Sequence, residues 1–149
     1  MAVIRLNTPD SPETIMTTEL NSLADGSNAI TGTAISNNAT DELDMYADFE
    51  LLVATQGSAR DAQARVEMYV LITLDGTNYT YGGASLDPPA NAFVGSFLYD
   101  AATNARYGHI RGVPLPPRDF HILLINETGQ ALASSGNILK MSRYNLQST

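Results

Sequence analysis

Leu43-Asp44-Met45-Tyr46-Ala47-Asp48-Phe49-Glu50-Leu51-Leu52-Val53 and Val66-Glu67-Met68-Tyr69-Val70-Leu71-Ile72-Thr73-Leu74 decide the fold class. Both stretches alternate with a period of two, the mark of a strand with one buried and one wetter face. In the first, Leu43, Met45, Ala47, Phe49, Leu51 and Val53 share a face, opposite Asp44, Tyr46, Asp48, Glu50 and Leu52. In the second, Val66, Met68, Val70, Ile72 and Leu74 oppose Glu67, Tyr69, Leu71 and Thr73. The polar segment between them, built on Gly57, Ser58 and Arg60, reads as a turn. The pair is therefore expected to form a long hairpin at the heart of a β-sheet.

Outward from this centre the pattern repeats. Residues 13–23 read as a short strand followed by a turn of helix, and 29–36 as a strand of small residues. After Leu74, Asp75-Gly76-Thr77-Asn78 is a hairpin signal leading into Tyr79. Pro88-Pro89 demands an extended loop. Residues 93–99 and 105–113 alternate around a turn at 100–104, and 120–125 and 138–144 follow. Gly, Pro and Asn punctuate about eight strands, and no convincing amphipathic helix interrupts them. The expectation is an all-β, antiparallel β-sandwich of about eight strands, jelly-roll-like in its long crossing loops. Residues 13–149 form a single sandwich domain. Residues 1–12, closed by Pro9 and Pro12, form an N-terminal arm, either an added edge strand, a contact with a partner, or a frayed end.

A chain of 149 residues with 44% apolar side chains buries roughly 70% of its unfolded surface, enough for an ordinary core. There is no cysteine, which removes disulfides and thiolate metal sites. The start lacks an apolar leader, and no run approaches membrane-span length, so a soluble chain made in a cytoplasm is expected. A net charge of −8 argues against nucleic acid as a partner. Residues 1–75 hold twelve acids and three arginines, net −9, while 76–149 hold four acids and five bases, net +1. That asymmetry suits a protein that docks in one orientation on a charged surface. Acids that simply keep one half soluble fit equally well.

Catalytic patterns are absent from the sequence. Asp48 and Glu50 stand two apart on one strand face, roughly 6.5–7 Å, the spacing of an inverting glycosidase pair. The chain has no Trp to stack on sugar, so a solvated sheet face is the preferred reading. Asp41, Glu42 and Asp44 could approach a calcium ion but lack an EF-hand pattern. His109 and His121 fall on separate expected strands and read as structural histidines. Asn38, Asn78 and Asn126 match the glycosylation triplet and are best read as turn residues. Tyr79 and Tyr81, near a turn, could stack on a sugar or on a partner protein. No cofactor is implied. In residues 120–125 both faces are apolar: Phe120, Ile122 and Leu124 against His121, Leu123 and Ile125. A long loop, the arm or a second copy must cover the second face. A homo-oligomer with His121, Leu123 and Ile125 at its interface is the expectation.

In order, Asp75-Gly76-Thr77-Asn78-Tyr79, residues 88–95, residues 111–120 (Arg-Gly-Val-Pro-Leu-Pro-Pro-Arg-Asp-Phe), 126–133, Ser135-Gly136-Asn137 and Tyr144-Asn145 resemble small structural proteins of tailed bacteriophages. More narrowly, they resemble jelly-roll cement or decoration proteins on the capsid exterior, over roughly residues 64–145. The resemblance implies a non-enzymatic virion protein, made in the bacterial host cytoplasm, whose partners are the major capsid protein and itself. Such a protein stabilises an assembled shell by mass action and multivalent attachment. Val3, Ile4, Arg5 and Leu6, an apolar arm, are the expected capsid contact, adding a strand to a capsid sheet edge. The alternative is a receptor- or glycan-binding module of a tail fibre or spike.

Overall fold

The computed structural model describes residues 4–38 and 43–148. Its strands are β1 (Ile4–Leu6), β2 (Glu13–Met16), β3 (Asn28–Ile30), β4 (Tyr46–Val53), β5 (Arg65–Ile72), β6 (Phe93–Leu98), β7 (Arg106–Pro114), β8 (Phe120–Glu127), β9 (Ile138–Tyr144) and β10 (Leu146–Ser148). Short 3₁₀ turns stand at Thr18–Leu20 and Ala90–Ala92.

The antiparallel pairings nest: β1 with β10, β2 with β9, β3 with β8, β4 with β7 and β5 with β6. This is one long ribbon, doubled back at the β5–β6 connection and rolled up. Rolling lets β9 pair with β4 and β8 with β5, which yields two four-stranded sheets, β2-β9-β4-β7 and β3-β8-β5-β6. An eight-stranded double sheet wound in this way is a jelly roll, so the chain is an all-β, antiparallel β-sandwich.

Sequence periodicity locates β4 and β5 but misplaces them. They are not a hairpin: β4 lies in one sheet and β5 in the other. Ala47, Phe49, Leu51 and Val53 therefore face Val66 and Met68 across the core rather than beside them, joined there by Phe97, Phe120, Ile122, Leu124, Leu139 and Met141. The segment between β4 and β5 crosses from sheet to sheet, a journey too long for a hairpin turn.

Nesting also redistributes charge. Because each strand of the acid-rich first half pairs with one from the second half, the −9/+1 division of the sequence does not become two poles. Arg143 reaches Glu13 and Asp44, and His109 meets Glu50, across such ladders.

Residues 4–12 are strapped to β9 and β10. The Asn7 N–H donates to the Asn145 carbonyl (2.7 Å), Asp10 N–H to Arg143 (2.8 Å), and the Ser142 hydroxyl to Asp10 (2.6 Å). Thus β1–β2 and β9–β10 form a continuous ribbon whose β1–β10 tip stands apart as its own two-stranded sheet.

Candidate functional site

The outer face of the β3-β8-β5-β6 sheet carries a second apolar cluster: Tyr69, Leu71 and Leu123, with Ile30, Ala92 and Ile125 against them. Its cover comes from this chain. The long β5–β6 connection folds back so closely that a Cβ on Gly82 (φ 148°) would stand 3.0 Å from Leu71 and 3.3 Å from Leu123. Asn28 fastens that connection by donating to the Gly83 carbonyl and the Asp87 carboxylate. His121 takes the Tyr79 ring edge-on at 4.6 Å. The reason for expecting a second copy at His121, Leu123 and Ile125 is thus met by the chain's own loop. Tyr79 is engaged there while Tyr81 is exposed, so the two do not form a shared stacking platform.

At the root of that loop Asp75 closes a side-chain-capped turn. Its carboxylate accepts from the Asn78 and Thr77 N–H groups, the Asn78 amide and the Thr73 hydroxyl. These donors, the Asn78 N–H foremost, hold the carboxyl far below the usual aspartate range. A carboxyl depressed on folding adds to the turn's stability above its unfolded pKa, and the contribution fades as pH falls toward the folded value. A carboxyl-carbon NMR titration is expected to find Asp75 still ionised well below the ordinary aspartate range. A midpoint near 3.9, the free value, contradicts the capped turn.

The acidic row of β4 does not act as a unit. Asp44 is buried and accepts from the Asn145 amide, with the Arg143 guanidinium 3.7 Å away. Asp48 accepts from Gly112 N–H and Tyr144 O–H, and Glu50 pairs with His109 at 3.1 Å. His109 and His121 sit on strands of opposite sheets. Among the described residues no group of three or more His, Asp or Glu side chains is placed to hold a metal. Asp41 and Glu42 lie outside the described residues. Of the glycosylation triplets, Asn126 is fully buried and clamps Leu23 and Gln130 carbonyls, and Asn78 serves the Asp75 turn.

One end of the sandwich is apolar, and the sequence alternation hid it. The inward parity of β4 begins only at Ala47, so Leu43 and Met45 turn outward while Asp44 turns in. Met45 N–H donates to Asn145, which sets both beside the β1–β10 tip, where Leu6 opposes Leu146. Asn37 bridges the Asp44 and Pro116 carbonyls, and Arg118 reaches the Thr73 carbonyl, which brings Ile72 and Leu74 to the same end. Leu6, Leu43, Met45, Ile72, Leu74 and Leu146 are between 39% and 82% exposed there. Of the arm residues expected to contact a capsid, Val3 lies outside the described residues, Ile4–Leu6 already pair with β10, and Leu6 belongs to this apolar end.

The opposite end exposes Leu98 but is internally locked by a polar network. Arg60, in the crossing between β4 and β5, is buried. It donates to Gln56 Oε1 (2.8 Å), the Asp100 carbonyl (3.2 Å) and the Asn104 carbonyl (2.8 Å), and reaches Asp100 Oδ1 at 3.3 Å.

The outer face of β9-β4-β7 is a third surface. His109, Glu50 and Lys140 stand in one row across it, and Tyr46 beside Tyr144 close its far side with rings 5.7 Å apart. Between lies a cleft of about 260 Å³.

No family model and no curated protein matches this chain. Among solved structures it is similar to the CBM36-1 domain of a multidomain xylanase from the hindgut metagenome of Trinervitermes trinervoides. The two share 16% identity and a TM-score of 0.42, over 96% of both chains. The fold assignment stands on the strand pairing itself.

Proposed function

We propose that this chain is a bacteriophage capsid cement or decoration protein, a non-catalytic virion component that docks on the outer shell and reinforces it. The observation that carries the proposal is the apolar end. Six large aliphatic side chains stand exposed at one end of a sandwich whose other end is closed by buried polar networks. Exposed apolar surface concentrated at one end of a fold suits a protein–protein docking site. The order of short motifs over residues 64–145 supports the virion setting. The rolled, cysteine-free sandwich suits a rigid clamp across capsid subunits. Nothing in this reading calls for a second copy at the β8 face.

The test is to add purified protein to phage heads that lack it and to sediment them. Binding is expected to saturate at hundreds of copies per head and to raise the heads' thermal survival. The double variant Leu74→Asp, Leu146→Asp changes only exposed side chains. It is expected to keep its melting temperature yet lose affinity by roughly tenfold or more, as loss of a hot spot does. Equal affinity of the variant counts against docking by this end. A saturation of only a few copies counts against cement.

A second reading, a glycan-binding module of a tail fibre or spike, is favoured by one observation: the polar cleft on the outer face of β9-β4-β7. Its walls combine acceptors and donors as sugar hydroxyls require. Tyr79 and Tyr81 do not supply that site.

A further inference from the structure

The second reading can be taken further, because the cations of this protein are unevenly employed. Arg60, Arg65, Arg106 and Arg143 are each held in ion pairs. Arg118 donates to a backbone carbonyl. Arg111 and Lys140, the chain's single lysine, make no hydrogen bond or ion pair among the described residues. Both line the same cleft, together with His109, Glu50 and Asp48. Neither Asp48 nor Glu50 stands within ion-pair distance of Arg111 or Lys140, so both cations remain open to a ligand.

The ladder explains the placement. Glu50 lies opposite His109 on β7 and Lys140 on β9, so those flanking residues stand about two strand spacings, roughly 9.5 Å, apart. One row further, Asp48 on β4 faces two residues of β7, Arg111 and Gly112, where the register shifts. Gly112 takes φ 66° and donates to Asp48 at 2.8 Å. Such a bulge re-aims the neighbouring side chain, and here it leaves Arg111 unpaired while Asp48 is satisfied. Rows on one face repeat at roughly 6.6 Å. The His109–Glu50–Lys140 row, the Arg111–Asp48–Ser142 row and the Tyr46–Tyr144 pair therefore span about 13 Å, the length of a short oligosaccharide.

We infer that this face binds an acidic glycan, a chain containing uronic acid residues, with Arg111 and Lys140 taking the sugar carboxylate and Glu50 accepting from sugar hydroxyls. The inference rests on the glycan-binding reading. A protein partner fits this face less well, because interface cores are depleted of charge, and the protein-docking features lie at the apolar end. Neutral sugar fits less well because it brings neither cation a partner at ion-pair distance, which Glu50 and Asp48 do not supply from their places in the ladder.

The test is calorimetric titration of the full chain with three probes: a galacturonic acid tetramer, a xylose tetramer and a poly-aspartate peptide. The galacturonate is expected to bind, to weaken as salt rises, and to lose about tenfold or more in affinity in Arg111→Ala, Lys140→Ala. Neither residue holds another in place, so the variant is expected to melt as the parent does. The ¹³C signal of reductively methylated Lys140 is expected to shift on binding, a readout independent of heat. Equal binding of the xylose tetramer overturns the acidic assignment while keeping a glycan module. Equal binding of poly-aspartate, with the same dependence on Arg111 and Lys140, overturns the sugar assignment. No binding by either tetramer overturns both.

Discussion

Arg60→Ala is expected to lower the melting temperature by roughly 6–12 °C, the effect of about 3 kcal/mol on a chain of this length. The guanidinium is fully buried at the polar end, where it donates to one amide oxygen and two carbonyls and meets the Asp100 carboxylate. Truncation takes the donor from Gln56 Oε1 and the Asn104 carbonyl, while the Asp100 carbonyl keeps the Ala102 N–H, and each buried unsatisfied group costs about 1–3 kcal/mol. The Tyr99 ring, 5.8 Å from the guanidinium, loses its cation as well. Arg106→Ala is the matched control. Arg106 approaches the other side of Asp100 at 2.8 Å, but both partners are solvent-exposed, and such pairs contribute less than about 1 kcal/mol. If the two variants melt together, Arg60 is not the fastening of this end.

Gly108→Ala is the second large effect, and it probes how closely the sheets approach. Gly108 faces Leu51 in the β4–β7 ladder. A Cβ there would lie 2.8 Å from Phe97 Cβ and 3.0 Å from the Tyr99 phenol oxygen. Neither neighbour can yield. Phe97 is fully buried in the opposite sheet, and Tyr99, whose phenol pKa burial raises, donates to the Leu51 carbonyl at 3.0 Å. Overpacking a rigid core costs about 1–3 kcal/mol, and breaking the phenol bond adds to it. A loss of about 2–3 kcal/mol is expected in denaturant unfolding, with a changed near-ultraviolet dichroism from Tyr99. Gly57→Ala, where added volume meets nothing within 4 Å, is expected to be neutral. A neutral Gly108→Ala contradicts the packing described for β7.

These two residues also show where sequence reading stops. Alternation located β4, β5, β7, β8 and β9 closely, because burying one face of a strand forces a period of two. It says nothing about which sheet a strand joins, and inward faces of opposed sheets look alike in sequence. That is why β4 and β5 read as a hairpin. The eleven polar-rich residues 54–64 were the available warning, and Arg60 among them reads as a solvated turn residue until its four oxygen partners converge from distant segments. The apolar face of β8 was legible, but its cover was not, since Gly82 contributes closeness rather than hydrophobicity. The apolar end was concealed because Leu43 and Met45 continue the alternation of β4 by sequence while the backbone has already left the strand. Arg111 and Lys140 become notable only when ladder register places them in one cleft and Arg60, Arg65, Arg106, Arg118 and Arg143 are each found with a partner.

The central claim is that the apolar end docks on the shell while the charged face stays open. Hydrogen–deuterium exchange on the protein, free and saturated on heads, tests it most directly. Exchange is expected to slow at β1, β10, residues 43–45 and residues 72–74, and to stay unchanged in residues 107–112 and 138–142. Slowing confined to the charged face, or no change anywhere on a head-bound protein, contradicts the account.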